Sequence, residues 1–431
     1  MGRVFETRSL GALLDSGVIE AVNGFPYGGH NEDGVGIPHI RPFNVTTNGE
    51  ISLEQIKWIP PHAGTDKPRL RRGDVVFNNT NTKELVGKCA LWDLESEPAF
   101  SNHMTRIRVL EELSCDPAYL SFAILDHWMT GRSEMLARAH VAQASIMGER
   151  FREIEVPWPD PVEQHAIARA LALLRSSAQG HERAAKQAEE LKRAAMRELF
   201  TRGLRGEPQK ETEIGPVPES WEIVELGRLC LPTDQVDLSL EGERTIRYID
   251  VSSVSRETLK VETTSEYRLK DAPGRARKRV KAGDVIFATI RPTLLRVARI
   301  DRALDNEVCS TAFCVLRTPD TQLLSRFIFY AVQRPEFLEL LARIETGASY
   351  PAVTDRQVKA QPIPLPNPDE QREIVAILDA IDRKIELHRK KRQVLEELFK
   401  ALLHKLMTGE IRVADLDLSA LKPPHTPHVA A

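Results

Sequence analysis

The sequence has little that could support a disulfide framework, a membrane span or a metal site. Its five cysteines, Cys89, Cys115, Cys230, Cys309 and Cys314, are odd in number and show no CxxC spacing, which argues against paired disulfides and a zinc site. No apolar run approaches the ~20 residues that span a bilayer, and the first residues lack the pattern of a secretory signal. We therefore expect a cytoplasmic protein with unreactive thiols and no metal site.

The chain also lacks an excess of positive charge. Its 59 Lys and Arg residues stand against 62 Asp and Glu, for a net charge of −3, so any contact with nucleic acid must come from local basic patches. The sequence contains no [Asp/Asn]-Pro-Pro-[Tyr/Phe], no phosphate-binding Gly-x-x-x-x-Gly-Lys-[Ser/Thr] and no His-Glu-x-x-His. These absences agree with a chain that has no catalytic site of its own.

What the sequence does contain is one internal repeat. An internal repeat determines the domain organisation, so overlooking it would lead to a wrong prediction of the whole architecture. Three motifs recur in the same order, at offsets of 207 (370 − 163), 210 (283 − 73) and 216 (226 − 10). The pairs are PWPDPVEQ at 157–164 with PLPNPDEQ at 364–371, GDVVF at 73–77 with GDVIF at 283–287, and LGAL at 10–13 with LGRL at 226–229.

The repeat divides the chain into alternating globular and helical segments. At 431 residues the chain exceeds the roughly 250–300 residues that one hydrophobic core supports. Short β-branched runs broken by Gly, Pro and Asn predict mixed α/β domains, and the Ala-, Leu-, Glu- and Lys-rich stretches after each proline run predict long helices. The predicted segments are a first domain (1–155), a central helix (156–203), a linker (204–218), a second domain (219–361), a C-terminal helix (362–409) and a tail (410–431) that we expect to be disordered from Lys422 onward.

Each predicted helix carries one apolar stripe. The spacing alternates between steps of 4 and 3, which is typical of a coiled coil. A single apolar stripe must be buried against a partner. Either each helix packs on its own domain, or the two helices pack against each other, for which an antiparallel arrangement is the simplest geometry. Antiparallel pairing would also bring the two central histidines together and fix the register. The stripe residues are Ile167, Leu171, Leu174 and His181 in the first helix, and Ile374, Leu378, Ile381 and His388 in the second.

A basic cluster precedes each Gly-Asp strand. A single charge run is most often a solvated face, but two clusters at equivalent places in duplicated domains favour binding to DNA phosphates. The clusters are Lys67, Arg69, Arg71 and Arg72 in the first domain, and Arg275, Arg277, Lys278, Arg279 and Lys281 in the second.

Polar side chains follow each of these strands, and they differ between the two copies. Asn78, Asn79, Asn81 and Lys83 follow the first strand, whereas Arg291 follows the second. Such side chains can read base edges. A shared scaffold with different polar tips suits the reading of two different half-sites, although ordinary divergence of loops produces the same difference.

Together these motifs resemble the specificity subunits of Type I restriction-modification systems. The resemblance covers nearly the whole chain and includes Pro218-Glu219-Ser220-Trp221 before Leu226-Gly227, an element without an obvious copy in the first domain. It implies an α+β fold in which two target recognition domains are joined by two long antiparallel coiled-coil helices. It also implies that each domain reads half of a split double-stranded DNA site, and that the helices hold two modification (methyltransferase) subunits and, through them, restriction (translocase/nuclease) subunits. S-adenosylmethionine, ATP and Mg would then act on those partners.

Two other classes of protein stay open at the level of sequence. One is a stand-alone enzyme, and the other is a coiled-coil scaffold whose globular heads bind protein rather than DNA. The bases that are recognised do not follow from sequence, because readout depends on side-chain placement in the groove and on DNA deformation.

Overall fold

The structure is a computed structural model, in which the chain forms two compact units. The first unit comprises residues 1–183 and 389–431, and the second comprises 184–388. The predicted disordered stretch from Lys422 lies outside the described residues. No helix of the described part is both long enough and apolar enough to cross a lipid bilayer. The described residues are 5–63, 66–139, 141, 143–319, 321–347 and 350–421.

Within the described residues, the first domain consists of short strands and four short helices, followed by one long helix. The strands are β1 (Thr7–Ser9), β2 (Ile19–Asn23), β3 (Ile37–Ile40), β4 (Lys57–Ile59), β5 (Val75–Asn78), β6 (Thr80–Asn81), β7 (Cys89–Leu91), β8 (Ala99–Phe100), β9 (Met104–Val109), β10 (Arg138–Ala139), β11 (Ala144–Ser145) and β12 (Glu155–Pro157). The helices are α1 (Leu10–Asp15), α2 (Pro117–Met129), α3 (Arg132–Leu136), α4 (Glu149–Arg152) and the long α5 (Pro161–Arg202).

The second domain follows the same plan and ends in a second long helix. Its strands are β13 (Gln209–Lys210), β14 (Val217–Pro218), β15 (Glu222–Glu225), β16 (Thr245–Ile249), β17 (Ser265–Arg268), β18 (Ala276–Arg279), β19 (Val285–Ala288), β20 (Val297–Arg299), β21 (Val308–Ser310), β22 (Phe313–Leu316) and β23 (Pro362–Leu365). Its helices are α6 (Leu238–Glu241), α7 (Ser325–Ala331), α8 (Pro335–Ala342), α9 (Asp355–Lys359) and the long α10 (Pro368–Met407).

The Gly-Asp strand is central in each domain. β5 pairs antiparallel with β7 and β9, and β19 pairs antiparallel with β20 and β22. Every residue of both strands is buried, because alternate side chains enter different cores. Val75 and Phe77 pack into the core that includes α5, whereas Val76 packs into a separate core on the other face.

The Gly-Asp motif builds a turn and a buried ion pair. Gly73 and Gly283 have φ values of 91° and 94°, a region that glycine occupies without strain. The Asp284 carboxylate accepts a hydrogen bond from the backbone N–H of Lys281 at 2.8 Å and pairs with the Arg317 guanidinium at 2.9 and 2.8 Å.

The first domain repeats this ion pair. There Asp74 accepts from the backbone N–H of Arg71 at 2.6 Å and pairs with Arg108 at 2.7 and 2.8 Å. Its carboxylate side chain is only 1% exposed. The recurrence of this motif in sequence therefore reflects a shared structural requirement of the two domains.

The glutamine of each Glu-Gln pair ties a long helix to its domain. The Gln164 amide donates to the carbonyls of Pro159 at 3.0 Å and Ser114 at 3.4 Å, and its oxygen accepts from the N–H of Asp116 at 3.1 Å. The side chain is fully buried. These bonds fix where α5 begins relative to the loop before α2.

The second domain repeats this clamp at matching positions. Gln371 donates to the carbonyls of Pro366 at 2.9 Å and Gln322 at 2.7 Å, and accepts from the N–H of Leu324 at 2.9 Å. The adjacent Glu370 accepts from the Trp221 indole N–H at 3.2 Å. The segment Pro218-Glu219-Ser220-Trp221 is thus anchored by Glu370, the glutamate of the second Glu-Gln pair.

The two long helices pack antiparallel within the first unit. The Arg175 guanidinium of α5 lies 4.8 Å from the centre of the Phe399 ring of α10, and Glu182, further along α5, forms an ion pair with Arg392 at 3.5 Å. The residue numbers of the two partners therefore run in opposite directions. This confirms the predicted antiparallel pairing for this half of the helices.

The same orientation holds within the second unit. Lys192 of α5 pairs with Asp382 of α10 at 2.7 Å, and Arg205, just after α5, pairs with Glu373 at 2.6 Å.

The apolar stripe is buried at its ends and mixed in its middle. Ile167, Leu171 and Leu174 are fully buried in one core with residues of α10, including Leu402. Ile374 and Leu378 are fully buried in the core of the second unit. The remaining stripe residues, Ile381, His181 and His388, are half-buried.

The pairing of the two histidines stays a prediction. His181 belongs to the first unit and His388 to the second.

Candidate nucleic-acid interface

Two arginines of the first basic cluster are exposed and engaged in ion pairs. Arg71 lies 3.3 Å from Glu97, and Arg72 contacts Asp93 at 2.8 Å and Glu95 at 2.7 Å. The hydrogen bond to Asp93 and the nearby carboxylates raise the pKa of Arg72. This part of the surface is therefore a mixed ion-pair network, in which carboxylates offset the positive charge that would attract phosphates.

The other two members of this cluster differ in exposure. Lys67 is exposed, whereas Arg69 is half-buried. Burial lowers the pKa of Arg69, with Glu97 acting in the opposite direction.

The second basic cluster is largely structural. The Lys278 ammonium donates to the carboxylate of Asp355 and to the Phe313 carbonyl, and Arg279 bonds Glu241 and, at 2.9 Å, the side chain of Asn306. Lys278 is 12% exposed and Arg279 16%. Phosphate binding by this cluster stays a prediction, but part of the cluster is strand β18, and the carboxylate partners of Lys278 and Arg279 come from distant segments.

Arg275, Arg277 and Lys281 complete the second cluster. Arg275 is exposed and its carbonyl accepts from the N–H of Thr311 at 2.8 Å. Arg277 is half-buried and donates to the carbonyl of Ala276 at 2.9 Å. Arg275 and Lys281 are thus the exposed members of this cluster.

Two asparagines predicted to read bases lie in the interior. Asn78 and Asn79 are both fully buried. The Asn78 amide donates to the carbonyl of Leu85 at 3.2 Å, and the Asn79 amide donates to the hydroxyl of Thr105 at 2.9 Å and the carbonyl of Asn102 at 3.2 Å. This corrects their expected place at the surface, because β5 is covered on both faces up to its end.

The two polar residues that come next are more accessible. Asn81 is half-buried, and its side-chain oxygen accepts from the N–H of Thr82 at 2.8 Å. Lys83 is exposed and forms an ion pair with Glu134 at 2.9 Å, a hydrogen bond that raises its pKa.

Asn81 belongs to a surface that we call the strand-exit edge, where the chain leaves the central strand. In the first domain this edge consists of residues 79–83, the turn at 102–103, Val141 and residues 143–146. The N–H of Asn79 donates to the carbonyl of His103 at 3.0 Å, and the carbonyl of Asn79 accepts from the N–H of Ile146 at 2.9 Å. Two neighbouring segments are thereby fixed against the end of β5.

The second domain builds the same edge from residues 289–291, 311–312 and 350–353. The N–H of Thr289 donates to the carbonyl of Ala312 at 2.8 Å, and its carbonyl accepts from the N–H of Val353 at 2.9 Å. Ile290 bridges Ala352, as Thr80 pairs with Ser145 in the first domain. The backbone scaffold is thus equivalent in the two domains.

The side chains on this scaffold are different. Asn81 corresponds to Arg291, Asn102 to Thr311 and His103 to Ala312. At the loop tips, Val141 is fully exposed and Tyr350 is 71% exposed. Variable side chains on a rigid scaffold are the usual construction of a binding site, and these include groups that can contact base edges.

Sequence reasoning located only the part of this edge that directly follows the Gly-Asp strands. It identified Asn79, Asn81, Lys83 and Arg291 from their place after those strands, but not Asn102, Thr311 or Tyr350. An alignment at offset 209 places Ser101-Asn102-His103 on Ser310-Thr311-Ala312 and would have located the turn. The loop tips carry no comparable signal.

Nothing in the described part of the chain suggests metal chemistry. Its His, Cys, Asp and Glu side chains form no group that could hold a metal ion. Burial raises the pKa of the Cys89 and Cys309 thiols to about 12, which makes these thiols poor nucleophiles and poor metal ligands.

Comparison with known proteins identifies similar chains. The family model described as the Type I restriction modification DNA specificity domain matches residues 218–397. A putative type I restriction enzyme specificity subunit, MjaX of Methanocaldococcus jannaschii, is 25% identical over 437 residues, covering 96% of this chain and 96% of the relative.

Two solved structures have a similar fold. The S subunit of a Type I restriction-modification system from M. genitalium has a TM-score of 0.57 at 14% identity, covering 94% of this chain and 96% of that one. A chain from a structure of the assembly and conformational transition of the type I R-M system has a TM-score of 0.51 at 19% identity, covering 91% of this chain and 98% of that one.

Proposed function

We propose that the chain is a specificity subunit of a Type I restriction-modification system, a non-catalytic subunit that recognises DNA, and that its two domains each read one half of a split DNA site. The observation that carries this proposal is the strand-exit edge. It has the same backbone hydrogen bonds in both domains and different side chains upon them. A duplicated reader needs this combination when its two half-sites differ in sequence.

The partners follow from the same proposal. The antiparallel pair α5 and α10 would hold two modification subunits and, through them, restriction subunits. Methyl transfer to adenine from S-adenosylmethionine, and DNA translocation and cleavage with ATP and Mg, would take place on those chains. The complex would act in the cytoplasm, where we expect its DNA target.

The proposal is tested by purifying the chain alone and with a methyltransferase encoded beside its gene. We expect the chain to be poorly soluble alone, to co-purify with the methyltransferase, and then to retard duplex DNA in a gel. A chain that stays soluble alone, ignores the methyltransferase and binds no duplex would contradict the proposal. Such a result would favour globular heads that bind protein.

A further inference from the structure

Each domain contacts its long helix at a second place, well beyond the glutamine clamp. In the first domain this contact is made by residues 46–50, which we call the first brace loop. The Arg175 guanidinium of α5 donates to the carbonyl of Asn48 at 2.7 Å, and the Gln179 amide donates to the Glu50 carboxylate at 3.0 Å. The loop is thus bonded to α5 through both its backbone and a side chain.

The first brace loop is also packed tightly on its own domain. The N–H of Gly49 donates to the carbonyl of Thr46 at 3.2 Å, and the N–H of Thr46 donates to the carbonyl of Glu50 at 2.9 Å. An added Cβ on Gly49 would lie 2.5 Å from the side chain of Leu125 in α2 and 3.2 Å from the carbonyl oxygen of Cys89. The loop therefore fills the space between the domain and α5.

Arg175 connects this loop to both long helices. Its guanidinium carbon lies 4.8 Å from the ring centres of Phe122 in α2 and of Phe399 in α10. The Arg175 side chain is 16% exposed, and its Nε lies 3.8 Å from the Glu50 carboxylate. Burial lowers the pKa of Arg175 to about 10, so the guanidinium stays charged at neutral pH. A buried charge costs desolvation energy, but it can fix one arrangement of the elements around it.

The second domain builds an equivalent loop from residues 255–260, the second brace loop. In both loops the first residue donates its N–H to the carbonyl of the last, which in the second loop is a bond from Ser255 to Lys260 at 3.1 Å. In both loops the residue before the last has a positive φ, 71° at Gly49 and 52° at Leu259. The two brace loops thus share one backbone design.

The second brace loop contacts its helix at the equivalent position, but with different chemistry. The Lys260 ammonium forms an ion pair with Glu386 of α10 at 2.7 Å, and the two side chains are 56% and 63% exposed. Glu386 corresponds to Gln179 at the repeat offset of 207 (386 − 179). An exposed ion pair contributes little to stability. The second domain is therefore held less firmly at this point than the first.

Each domain is thus attached to its helix at two separated points. Gln164 and Gln179 are 15 residues apart (179 − 164), as are Gln371 and Glu386 (386 − 371), which is about 22 Å along a helix. Two such attachments fix the direction of the domain relative to the helix axis, whereas the glutamine clamp alone would let the domain pivot. Over a lever of about 20 Å, a pivot of roughly 10° moves the far end by about 3.5 Å, close to the rise of one base pair.

We propose that the brace loops fix the angle of each domain to its helix, and thereby the number of unread base pairs that the chain accepts between its two half-sites. Arg175 and Gln179 are the positioning residues of the first domain, and Lys260 and Glu386 are those of the second. They act through the orientation of the domains and not through contact with a base. The inference rests on the proposed function and deepens it.

The test uses the full-length chain in complex with its methyltransferase and measures methylation of duplexes whose spacer is native, one base pair shorter or one base pair longer. Arg175→Met keeps a flexible apolar side chain between the two rings and removes the bond to Asn48. We expect methylation of the altered spacers, relative to the native one, to rise roughly 5- to 30-fold, the population change that follows loss of one hydrogen bond to a charged group. The bases read in each half-site should stay the same.

Arg169→Met is the matched control, because Arg169 is an exposed arginine on the same helix. This variant should keep the spacer preference of the unchanged chain.

A charge swap tests the second brace loop. Lys260→Glu places two carboxylates against each other, and we expect a smaller rise in methylation of the altered spacers, up to about 5-fold. Combining Lys260→Glu with Glu386→Lys restores an ion pair of opposite polarity and should restore the spacer preference. A general loss of stability would not be rescued in this way.

A strict native spacer in both Arg175→Met and Lys260→Glu, with normal methylation, would overturn the proposal. Equal relaxation in Arg169→Met would overturn it as well. If Arg175→Met does not fold, Gln179→Ala supplies the result for the first domain, since it removes only the amide that binds Glu50. Failure of the proposed function looks different: the unchanged complex then methylates no split site, while hydrogen exchange of residues 46–50 still reports whether Arg175→Met loosens the brace loop.

Discussion

Replacing Asp284 by alanine is expected to lower the free energy of unfolding of the second unit by about 3–5 kcal/mol, the typical cost of breaking a buried ion pair from one side. The Asp284 side chain is 2% exposed and that of its partner Arg317 is 11% exposed. Without the carboxylate, the guanidinium would keep its desolvation cost and lose two hydrogen bonds. The N–H of Lys281 would lose its acceptor as well.

Chemical denaturation combined with hydrogen exchange of peptides from 184–388 measures this effect in the full-length chain. Asp301→Ala is the control, because Asp301 is exposed and its side chain makes no capping bond to the turn that follows. The control should change the unfolding free energy by no more than about 0.5 kcal/mol. A loss of less than 1 kcal/mol for Asp284→Ala would show that the ion pair does not hold the domain together.

Truncating the helix stripe is expected to have a comparable effect. Leu378 is fully buried in the core of the second unit, so Leu378→Ala should cost about 2–5 kcal/mol through lost burial and the cavity left behind. The neighbouring Ile377 is 39% exposed, so Ile377→Ala should cost clearly less. Both values are read from denaturant unfolding of the purified chain.

Equal losses for the two variants would contradict the assignment of one apolar face to α10. The two variants are well matched, because Ile377 and Leu378 are adjacent and both substitutions shorten a large aliphatic side chain to alanine in the same turn of the helix. Any change in helix propensity is therefore similar, and burial is the main difference between them.

The helices could be predicted from sequence because their signals are local. The proline run marks where each helix begins, and the steps of 4 and 3 from Ile167 to Leu174 mark the buried face. Adding the repeat offset of 207 to Ile167 and Leu171 predicts the equivalent buried positions, Ile374 and Leu378. The local spacing of apolar residues therefore predicts where the helices lie and which face is buried, without knowledge of distant contacts.

The candidate site was harder because burial and pairing depend on distant segments. The sequence predicts that Asn78 follows the Gly-Asp strand and can contact bases, yet Asn78 is fully buried because β5 is covered on both faces. Arg279 reads as a phosphate ligand, yet its partners Glu241 and Asn306 come from other parts of the second domain. No spacing rule reveals such partners.

The repeated motifs make structural contacts in both domains. Asp74 and Asp284 form ion pairs, and Gln164 and Gln371 clamp the helices. Positions that are identical in the two copies thus build the scaffold. The positions that differ, such as Asn81 and Arg291, are those at which we propose that the two half-sites are distinguished.

Mapping of methylated adenines in the host genome, with and without the gene for this chain, tests the central claim most directly. Two domains that read one face of a duplex should give a motif of two short specified halves separated by unread base pairs, with centres roughly 10 bp apart. The motif should disappear when the gene is deleted. A continuous, unsplit motif, or a motif that persists without the gene, would contradict the account.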